Sequence, residues 1–132
     1  MKVMLDTNIC IYLIKQRPPT VIDRFLSHPV GDIGVSSITV AELAYGVNKS
    51  RHTTKNRLAL EQFLAPLDLA AFDQDAALSY GRLRALLEQK GSPIGSMDLL
   101  IAAHALSLGV RLVTNNLREF QRVPGLRLEN WV

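Results

Sequence analysis

The stretch that decides the fold is Met1-Lys2-Val3-Met4-Leu5-Asp6-Thr7-Asn8, where a short apolar run ends abruptly in an acid, a hydroxyl and an amide. The consecutive apolar side chains before Asp6 predict a buried strand. In open α/β sheets, ligands bind just beyond the carboxyl ends of the strands. The sequence therefore predicts that Asp6 stands where the chemistry of this protein takes place.

Beyond this stretch, short apolar strands alternate with helical segments, which is the pattern of βαβ units in a parallel sheet. Strands are expected at residues 2–5, 33–36, 67–70, 111–114 and 126–129. Helices are expected from Asn8 to before Pro18, from Thr20 to Leu26, from Thr39 onward, from Thr54 to Leu64, from an N-cap at Asp73 to Gln89, and from an N-cap at Ser96 to Gly109. These elements predict an α/β fold with a mostly parallel sheet of four to five strands in one domain, residues 1–132.

Size and composition agree with a single globular domain. The chain has 132 residues, of which 48% are hydrophobic and 20% charged. No apolar run approaches the ~20 residues that a membrane helix needs, and the N-terminus lacks the pattern of a secretory signal, so we expect a cytoplasmic protein without a membrane partner. The single cysteine, Cys10, has no internal disulfide partner and is expected in the core.

In a parallel α/β sheet, helix N-termini and strand C-termini meet at one edge, which brings distant residues together. Asp6 follows the first strand, Glu42 lies in the helix after the second, and Asp98 lies in the first turn of the helix before the fourth. Asn115 and Asn116 directly follow the fourth strand. We expect all five side chains to face the same edge.

Each acid also has an ordinary structural explanation. Thr39 and Glu42 have the spacing of a capping box, Asp6 can cap the helix after it, and Asp98 can complement a helix dipole. Gathered at one edge, however, the carboxylates would repel one another unless a cation or protons neutralised them. Carboxylate and amide oxygens suit Mg²⁺ or Mn²⁺, and such a cation can activate water for phosphodiester hydrolysis.

The residues of the chain fit other types of phosphate chemistry less well. Cleavage of RNA without metal usually needs a general acid and base, and none of the three histidines is expected at this edge; His104 is interpreted as a packed helix residue. Asp6 also resembles the strand-end nucleophile of haloacid-dehalogenase phosphatases. Asn8 stands where their second Asp is expected, and Glu42 has no role there, so a small-molecule phosphatase is the weaker alternative.

Four segments follow one another in a characteristic order: Met4–Asn8, Ser37–Leu43 with Gly46 after it, Pro93–Asp98, and Val113–Phe120. Together they resemble the PIN-domain endoribonucleases, and among these the VapC toxins of VapBC toxin–antitoxin pairs. The resemblance spans essentially the whole chain. It implies a three-layer α/β/α fold, RNA cleavage that depends on Mg²⁺ or Mn²⁺, and an antitoxin that blocks the site.

The resemblance also implies roles for individual residues. Asp6, Glu42 and Asp98 would hold the metal and organise the attacking water. Members of the family frequently carry an acid where this chain has Asn116, which is a candidate catalytic residue. Its amide can still bind the metal or orient water, but it brings no charge. Glu119 supplies the missing carboxylate if the turn that contains it is helical. With fewer fixed acids, one metal ion is expected rather than two.

Further polar residues next to these acids have two interpretations. They can bind metal-bound water or a substrate phosphate, or orient the acids, but capping and turn hydrogen bonds explain them about as well. They are Thr7, Asn8, Ser37 and Asn115.

The charge of the chain is compatible with a nucleic-acid partner. The net charge is +3, and sequestering three acids in a metal site would leave nine acids against fifteen bases. The candidate contacts to RNA phosphates are Lys49, Arg51, Lys55, Arg57 and Arg118. The alternative is a solvated helix connection. By resemblance the substrate is a structured RNA such as transfer RNA, and the segment that ends in Phe120 resembles chains that act on initiator transfer RNA.

Partners follow from the same resemblance, which implies a homodimer and a larger assembly with a VapB-type antitoxin. Apolar residues in the segments 9–14 and 21–26 either pack in the core or form a groove for a partner. A catalytically silent protein of the same fold, binding RNA or a partner without cleavage, remains the alternative function.

Overall fold

The computed structural model describes all residues from 1 to 132. Its strands are β1 (Val3–Leu5), β2 (Ile33–Ser36), β3 (Asp68–Ala70), β4 (Arg111–Val113) and β5 (Leu128–Glu129). Its helices are α1 (Thr7–Lys15), α2 (Pro19–Leu26), α3 (Ser37–Asn48), α4 (Thr53–Leu64), α5 (Gln74–Gln89), α6 (Ser96–Leu108) and α7 (Leu117–Phe120). All predicted strands and long helices are present, and α7 is the helical turn on which the role of Glu119 depends.

The five strands form one sheet in the order β3-β2-β1-β4-β5, with every neighbouring pair parallel. Val3 pairs with Ile33 on one side and with Arg111 on the other. The chain moves outward from β1 to β3 and then returns to the opposite side of β1 to form β4. The carboxyl ends of β1 and β4 therefore flank the switch point at which sheets of this type bind ligands.

Helices cover both faces of the sheet, which confirms the three-layer α/β/α prediction. Val3 and Leu5 point into one apolar core, shared with residues of α1 to α4, and Cys10 is buried in it. Met4 points the opposite way into a second core formed largely by α5 and α6. This alternation is the period of two that a strand imposes on its side chains. No helix is long and apolar enough to span a membrane.

Two predicted helix starts are wrong, and both errors concern the site. Thr39 is buried inside α3 and caps nothing, because Ser36 at the end of β2 accepts the Ile38 N–H group at 3.0 Å. The capping-box explanation of Glu42 therefore fails. Ser96 is the first residue of α6, and Gly95 occupies the N-cap position without any side chain to cap the helix.

Asp73 does cap α5, where its carboxylate accepts the Ala76 N–H group at 3.0 Å. His104 is packed as expected, at 1% exposure, with Nδ1 2.8 Å from the Ser36 hydroxyl. This contact ties α6 to the junction of β2 and α3. Two helices that carry candidate site residues are thereby joined beneath the site.

Candidate acidic active site

Asp6 lies at the switch point of the sheet, between β1 and α1. Its backbone N–H donates to the Val113 carbonyl at 3.0 Å, and its Oδ1 accepts the Ile9 N–H group at 2.9 Å. The side chain is almost fully buried. Burial raises the pKa of this carboxyl above its ordinary value, and the Glu42 charge raises it further, while a hydrogen bond from the Thr114 side chain opposes the shift. Asp6 thus caps α1, as predicted, and its ionised form is destabilised by burial and by the charge of Glu42.

Glu42 reaches the same edge from the second turn of α3. Its Oε1 accepts a hydrogen bond of 2.5 Å from the Thr7 hydroxyl, which also lies 3.2 Å from the Thr39 hydroxyl. Thr7 is the first residue of α1 and directly follows Asp6. Thr7, a predicted supporting residue, therefore holds Glu42 next to the start of α1, where Asp6 lies.

Asp98 lies in the first turn of α6 and is partly exposed. Its pKa is raised to about 7, first by burial, then by its hydrogen bond with Glu119 and by the charges of Glu119, Asp6 and Glu42. Every other acid of the site therefore contributes to this shift. The structure therefore gathers four carboxyl groups near enough for the charges of three of them to act on Asp98.

Glu119 is held at this cluster by two donors. Its Oε1 accepts the Gly95 N–H group at 2.6 Å, and its Oε2 accepts the Asn116 side-chain amide at 2.8 Å. The Gly95 N–H group is the main reason that the pKa of Glu119 is lowered, with Asp98 and Asn116 adding to it. Glu119 therefore remains ionised beside Asp98. Among the four acids, Asn116 hydrogen-bonds only Glu119.

Three predicted supporting residues do not join the acids through their side chains. Ser37 accepts the Phe72 N–H group at 3.0 Å and so tethers the segment after β3. Asn115 donates to the Tyr12 hydroxyl at 3.1 Å. Asn8 is exposed, and only its backbone N–H group interacts with Asp6.

The predicted phosphate contacts lie in two places. Arg51 and Lys55 line an open concavity of about 870 Å³ around the start of α4, and Arg57 lies 3.9 Å from Glu61 on the same helix. Lys49 follows the end of α3, and Arg118 is exposed on α7 beside Glu119. None of these basic residues forms an ion pair with the four acids.

A smaller cavity of about 270 Å³ joins the two regions. It is lined by Glu42, by Lys15 and by apolar residues of α1, α3 and α4, among them Ile11 and Ile14. Ala59 lines both this cavity and the basic concavity. Glu42 and part of α4 therefore border the same cavity. Part of the apolar segment 9–14 faces this cavity, while Ile9, Leu13 and Val21 are buried in the core.

The donor set can be tested against a divalent cation. No group of three His, Cys, Asp or Glu side chains converges closely enough to form a complete metal-binding set by itself. The four acids nevertheless make no ion pair with Lys or Arg. Mg²⁺ usually retains several waters and takes only one or two carboxylates. Separated, unpaired carboxylates fit a cation held in part through water.

Two contributors to this site, Thr114 and Gly95, were not predicted from the sequence. Thr114, a buried hydroxyl directly after β4, hydrogen-bonds Asp6, and the backbone of Gly95 orients Glu119. The position of Thr114 could have been predicted from the sequence, since it follows the strand that pairs with β1. The role of Gly95 could not, because the hydrogen bond uses its backbone and joins residues 24 positions apart.

The fold and the site together define an α/β protein with an acidic centre at the switch point of an all-parallel sheet. The family model described as "PIN domain" matches residues 3–126, and the chain belongs to this family.

Curated relatives are similar over the whole chain. "Ribonuclease VapC2" of Haemophilus influenzae is 49% identical over 100% of this chain and 99% of the relative. The "tRNA(fMet)-specific endonuclease VapC" of Salmonella typhimurium is 45% identical over 99% of this chain and 98% of the relative. The resemblance inferred from the four sequence segments is confirmed.

Solved structures agree with this assignment. The DNA-bound VapBC structure from Salmonella typhimurium contains a chain that superposes with a TM-score of 0.95 at 45% identity, covering 100% of this chain and 99% of that one. VapBC2 from Rickettsia felis, bound to a DNA fragment from its promoter, gives a TM-score of 0.91 at 44% identity with full coverage of both chains.

Proposed function

We propose that this protein is an endoribonuclease that depends on Mg²⁺ or Mn²⁺ and acts as the toxin of a toxin–antitoxin pair. The observation that carries the proposal is the cluster of four carboxyl groups at the switch point. Burial together with the other three groups raises the pKa of Asp98 to about 7. Relatives named as ribonucleases match the chain over nearly its full length, which supports RNA as the substrate.

In this proposal Asp6, Glu42 and Asp98 would hold the cation, in part through water, and Glu119 would add a fourth negative charge. When bound, the cation would lower the pKa of a water molecule and stabilise the charge that develops on the attacked phosphate. Because only Asp6, Glu42 and Asp98 would hold the cation directly or through water, one cation is expected rather than two.

The remaining residues of the site position these acids. Thr7 fixes Glu42 through its hydroxyl, and Ile9 and Thr114 fix Asp6. Gly95 and Asn116 hold both oxygens of Glu119. Groups that are already oriented need little rearrangement when the reaction begins, which lowers the barrier. Asn116 is therefore a positioning residue in this mechanism.

Transfer RNA is the proposed substrate class, and the initiator species is the first to test, because two relatives are named for tRNA(fMet). Lys49, Arg51, Lys55, Arg57 and Arg118 would contact RNA phosphates beside the acids. Such contacts orient a nucleic acid but do not select its sequence. Transfer RNA as substrate implies action in the cytoplasm.

A VapB-type antitoxin is the proposed protein partner, in keeping with the VapBC complexes that resemble this chain. The cavity beside Glu42 combines an apolar wall with access to the acids. An antitoxin segment with apolar side chains and one arginine would fill it and pair with a carboxylate, thereby competing with metal and substrate. A toxin homodimer is part of the same proposal.

The test is incubation of the purified, antitoxin-free protein with total cellular RNA, in Mg²⁺ or in chelator, beside the Asp98→Asn variant. Discrete products that require Mg²⁺ and disappear in the variant would support the nuclease, and sequencing their ends would identify the RNA. Adding the antitoxin should suppress the products.

Intact RNA under every condition would overturn the proposal and favour the catalytically silent binder. Hydrolysis of a small phosphomonoester with intact RNA would favour the phosphatase instead. The Asn substitution at Asp98 preserves shape and removes only charge, so circular dichroism of the variant should match that of the native chain.

A further inference from the structure

Tyr45 is the one exposed residue among the eight Phe, Trp and Tyr residues of the chain. It is 67% exposed, and its hydroxyl makes no hydrogen bond to the protein. The ring therefore contributes little to the core. Packing therefore does not explain why an aromatic residue occupies this exposed position near the acidic site.

The position of Tyr45 relates it directly to the acidic site. Glu42, Tyr45 and Lys49 all lie on α3 or at its end, at spacings that place them within about 60° of one another around the helix axis. Leu43, by contrast, points into the core. The ring thus stands one helical turn from Glu42, on the side of α3 that faces solvent.

Lys49 completes the arrangement. Its Nζ lies 4.9 Å from the centroid of the Tyr45 ring, which is a cation–π contact. The contact places the ammonium group over one face of the ring, and the residue as a whole remains 67% exposed. A cation and a flat apolar surface are thereby presented together at the edge of the acidic site.

We propose that Tyr45 is the stacking platform for an unpaired nucleobase next to the scissile phosphate, with Lys49 contacting the neighbouring phosphate. This inference rests on the proposed function. Proteins recognise single-stranded RNA by stacking splayed bases on aromatic rings, while nearby cations follow the backbone. The ligand class is therefore an unstacked nucleotide in a loop or a single-stranded segment of RNA, and paired RNA does not fit this platform.

The test measures binding separately from cleavage. Asp98→Asn protein is titrated into a fluorescein-labelled oligouridylate of about ten nucleotides, a length within the site sizes of single-strand binders, and anisotropy gives Kd. Tyr45→Phe keeps the ring, and Tyr45→Leu keeps apolar volume without a π face. We expect Tyr45→Phe to bind like the parent and Tyr45→Leu to bind about 5- to 100-fold more weakly, the range of a lost base stack.

A second probe separates stacking from other causes. An abasic oligomer of the same length keeps the phosphates and lacks bases. The Asp98→Asn parent and its Tyr45→Phe and Tyr45→Leu variants should bind this oligomer with equal affinity. Lys49→Gln should lower the affinity for both oligomers. Equal affinity of Tyr45→Leu and Tyr45→Phe for oligouridylate would overturn the inference. So would a change of oligomeric state in Tyr45→Leu with unchanged RNA affinity, since the ring would then serve a protein contact.

These outcomes are independent of the nuclease test. The binding assay uses protein without the Asp98 charge, so it reports on the platform whether or not the native chain cleaves RNA. If cleavage also occurs, Tyr45→Leu in the native background should raise KM more than it lowers kcat.

Discussion

The carboxylate of Glu119 accepts a 2.6 Å hydrogen bond from the backbone N–H group of Gly95, at the start of α6. The N-terminus of a helix favours negative charge, and this bond lowers the pKa of Glu119. An acid from α7 thus replaces the side-chain cap that α6 lacks. The same acid stands beside Asp98 and raises its pKa. One hydrogen bond therefore stabilises a helix and adds charge to the site.

Glu119 should matter more for activity than Asn116. Glu119→Ala removes a carboxylate next to Asp98, and we expect metal affinity or kcat to fall about 10- to 100-fold, the usual effect of losing a partner of a metal ligand. Asn116→Ala leaves that carboxylate in place and should cost only a few-fold. Cleavage rates measured across a Mg²⁺ titration would compare the two.

Glu119→Gln is the matched control, because its carbonyl can still accept the Gly95 N–H group. Activity equal to that of the native chain in this variant would contradict a requirement for the charge.

Burial of Asp98, together with the acids clustered around it, should make the metal-free protein less stable as pH rises. The pKa of Asp98 is about 7 in the folded chain against an ordinary value of 3.8, so the folded protein binds this proton more tightly than the unfolded one. The resulting stabilisation is complete below about pH 4 and is lost as the pH rises through about 7. In chelator, Asp98→Asn should therefore have the higher Tm at pH 8 and a Tm close to that of the native chain at pH 4.

His104 shifts in the opposite direction, because burial lowers its pKa and acid therefore destabilises the fold. Both proteins share His104, so the difference between their Tm values removes this effect. A difference in Tm that does not change with pH would mean that the pKa of Asp98 is not raised in the folded chain.

The sequence predicted the fold and three of the acids because those features are local. Alternating apolar runs define strands and helices, and the residue after a strand must lie at the carboxyl edge of a parallel sheet. Asp6 is positioned by its own strand in this way. The prediction that Asp6 caps the next helix needed only the three following residues, and the structure agrees.

The errors arose where distant residues replace a local signal. Ser96 matches an N-cap by type, but the start of α6 is served by Glu119, which no nearby pattern reveals. Thr39 and Glu42 match a capping box, but Ser36 at the end of β2 caps α3 instead. Tyr45 was overlooked because an aromatic residue within a helix is usually interpreted as core.

The contact between Ser36 and His104 should be a major source of stability. Ser36→Ala removes the N-cap of α3 and leaves the buried Nδ1 of His104 without its partner at 2.8 Å. Loss of a cap costs about 0.5–2 kcal/mol, and an unsatisfied buried group costs about 1–3 kcal/mol. We expect the free energy of unfolding in urea to fall by about 2–3 kcal/mol.

The adjacent Ser37→Ala is the control, since that exposed hydroxyl accepts only one N–H group, from Phe72. It should lose about 1 kcal/mol or less. Equal losses in the two variants would show that the buried contact with His104 adds nothing.

The basic concavity at the start of α4 should show itself in the salt dependence of RNA binding. Arg51 and Lys55 line it and form no ion pair, so their charges are available, whereas Arg57 lies 3.9 Å from Glu61. Each phosphate contact contributes about −0.7 to the slope of log K against log salt for a single strand and about −0.9 for a duplex. Arg51→Gln and Lys55→Gln should each reduce the steepness of the slope by about that amount, as measured by anisotropy with Asp98→Asn protein at several salt concentrations.

Arg84→Gln provides the comparison, because Arg84 lies on α5, against the other face of the sheet, and already contacts Glu88 at 3.2 Å. Its slope should equal that of the parent, and a slope changed as much by Arg84→Gln as by Arg51→Gln would mean that RNA responds to net charge and not to the concavity.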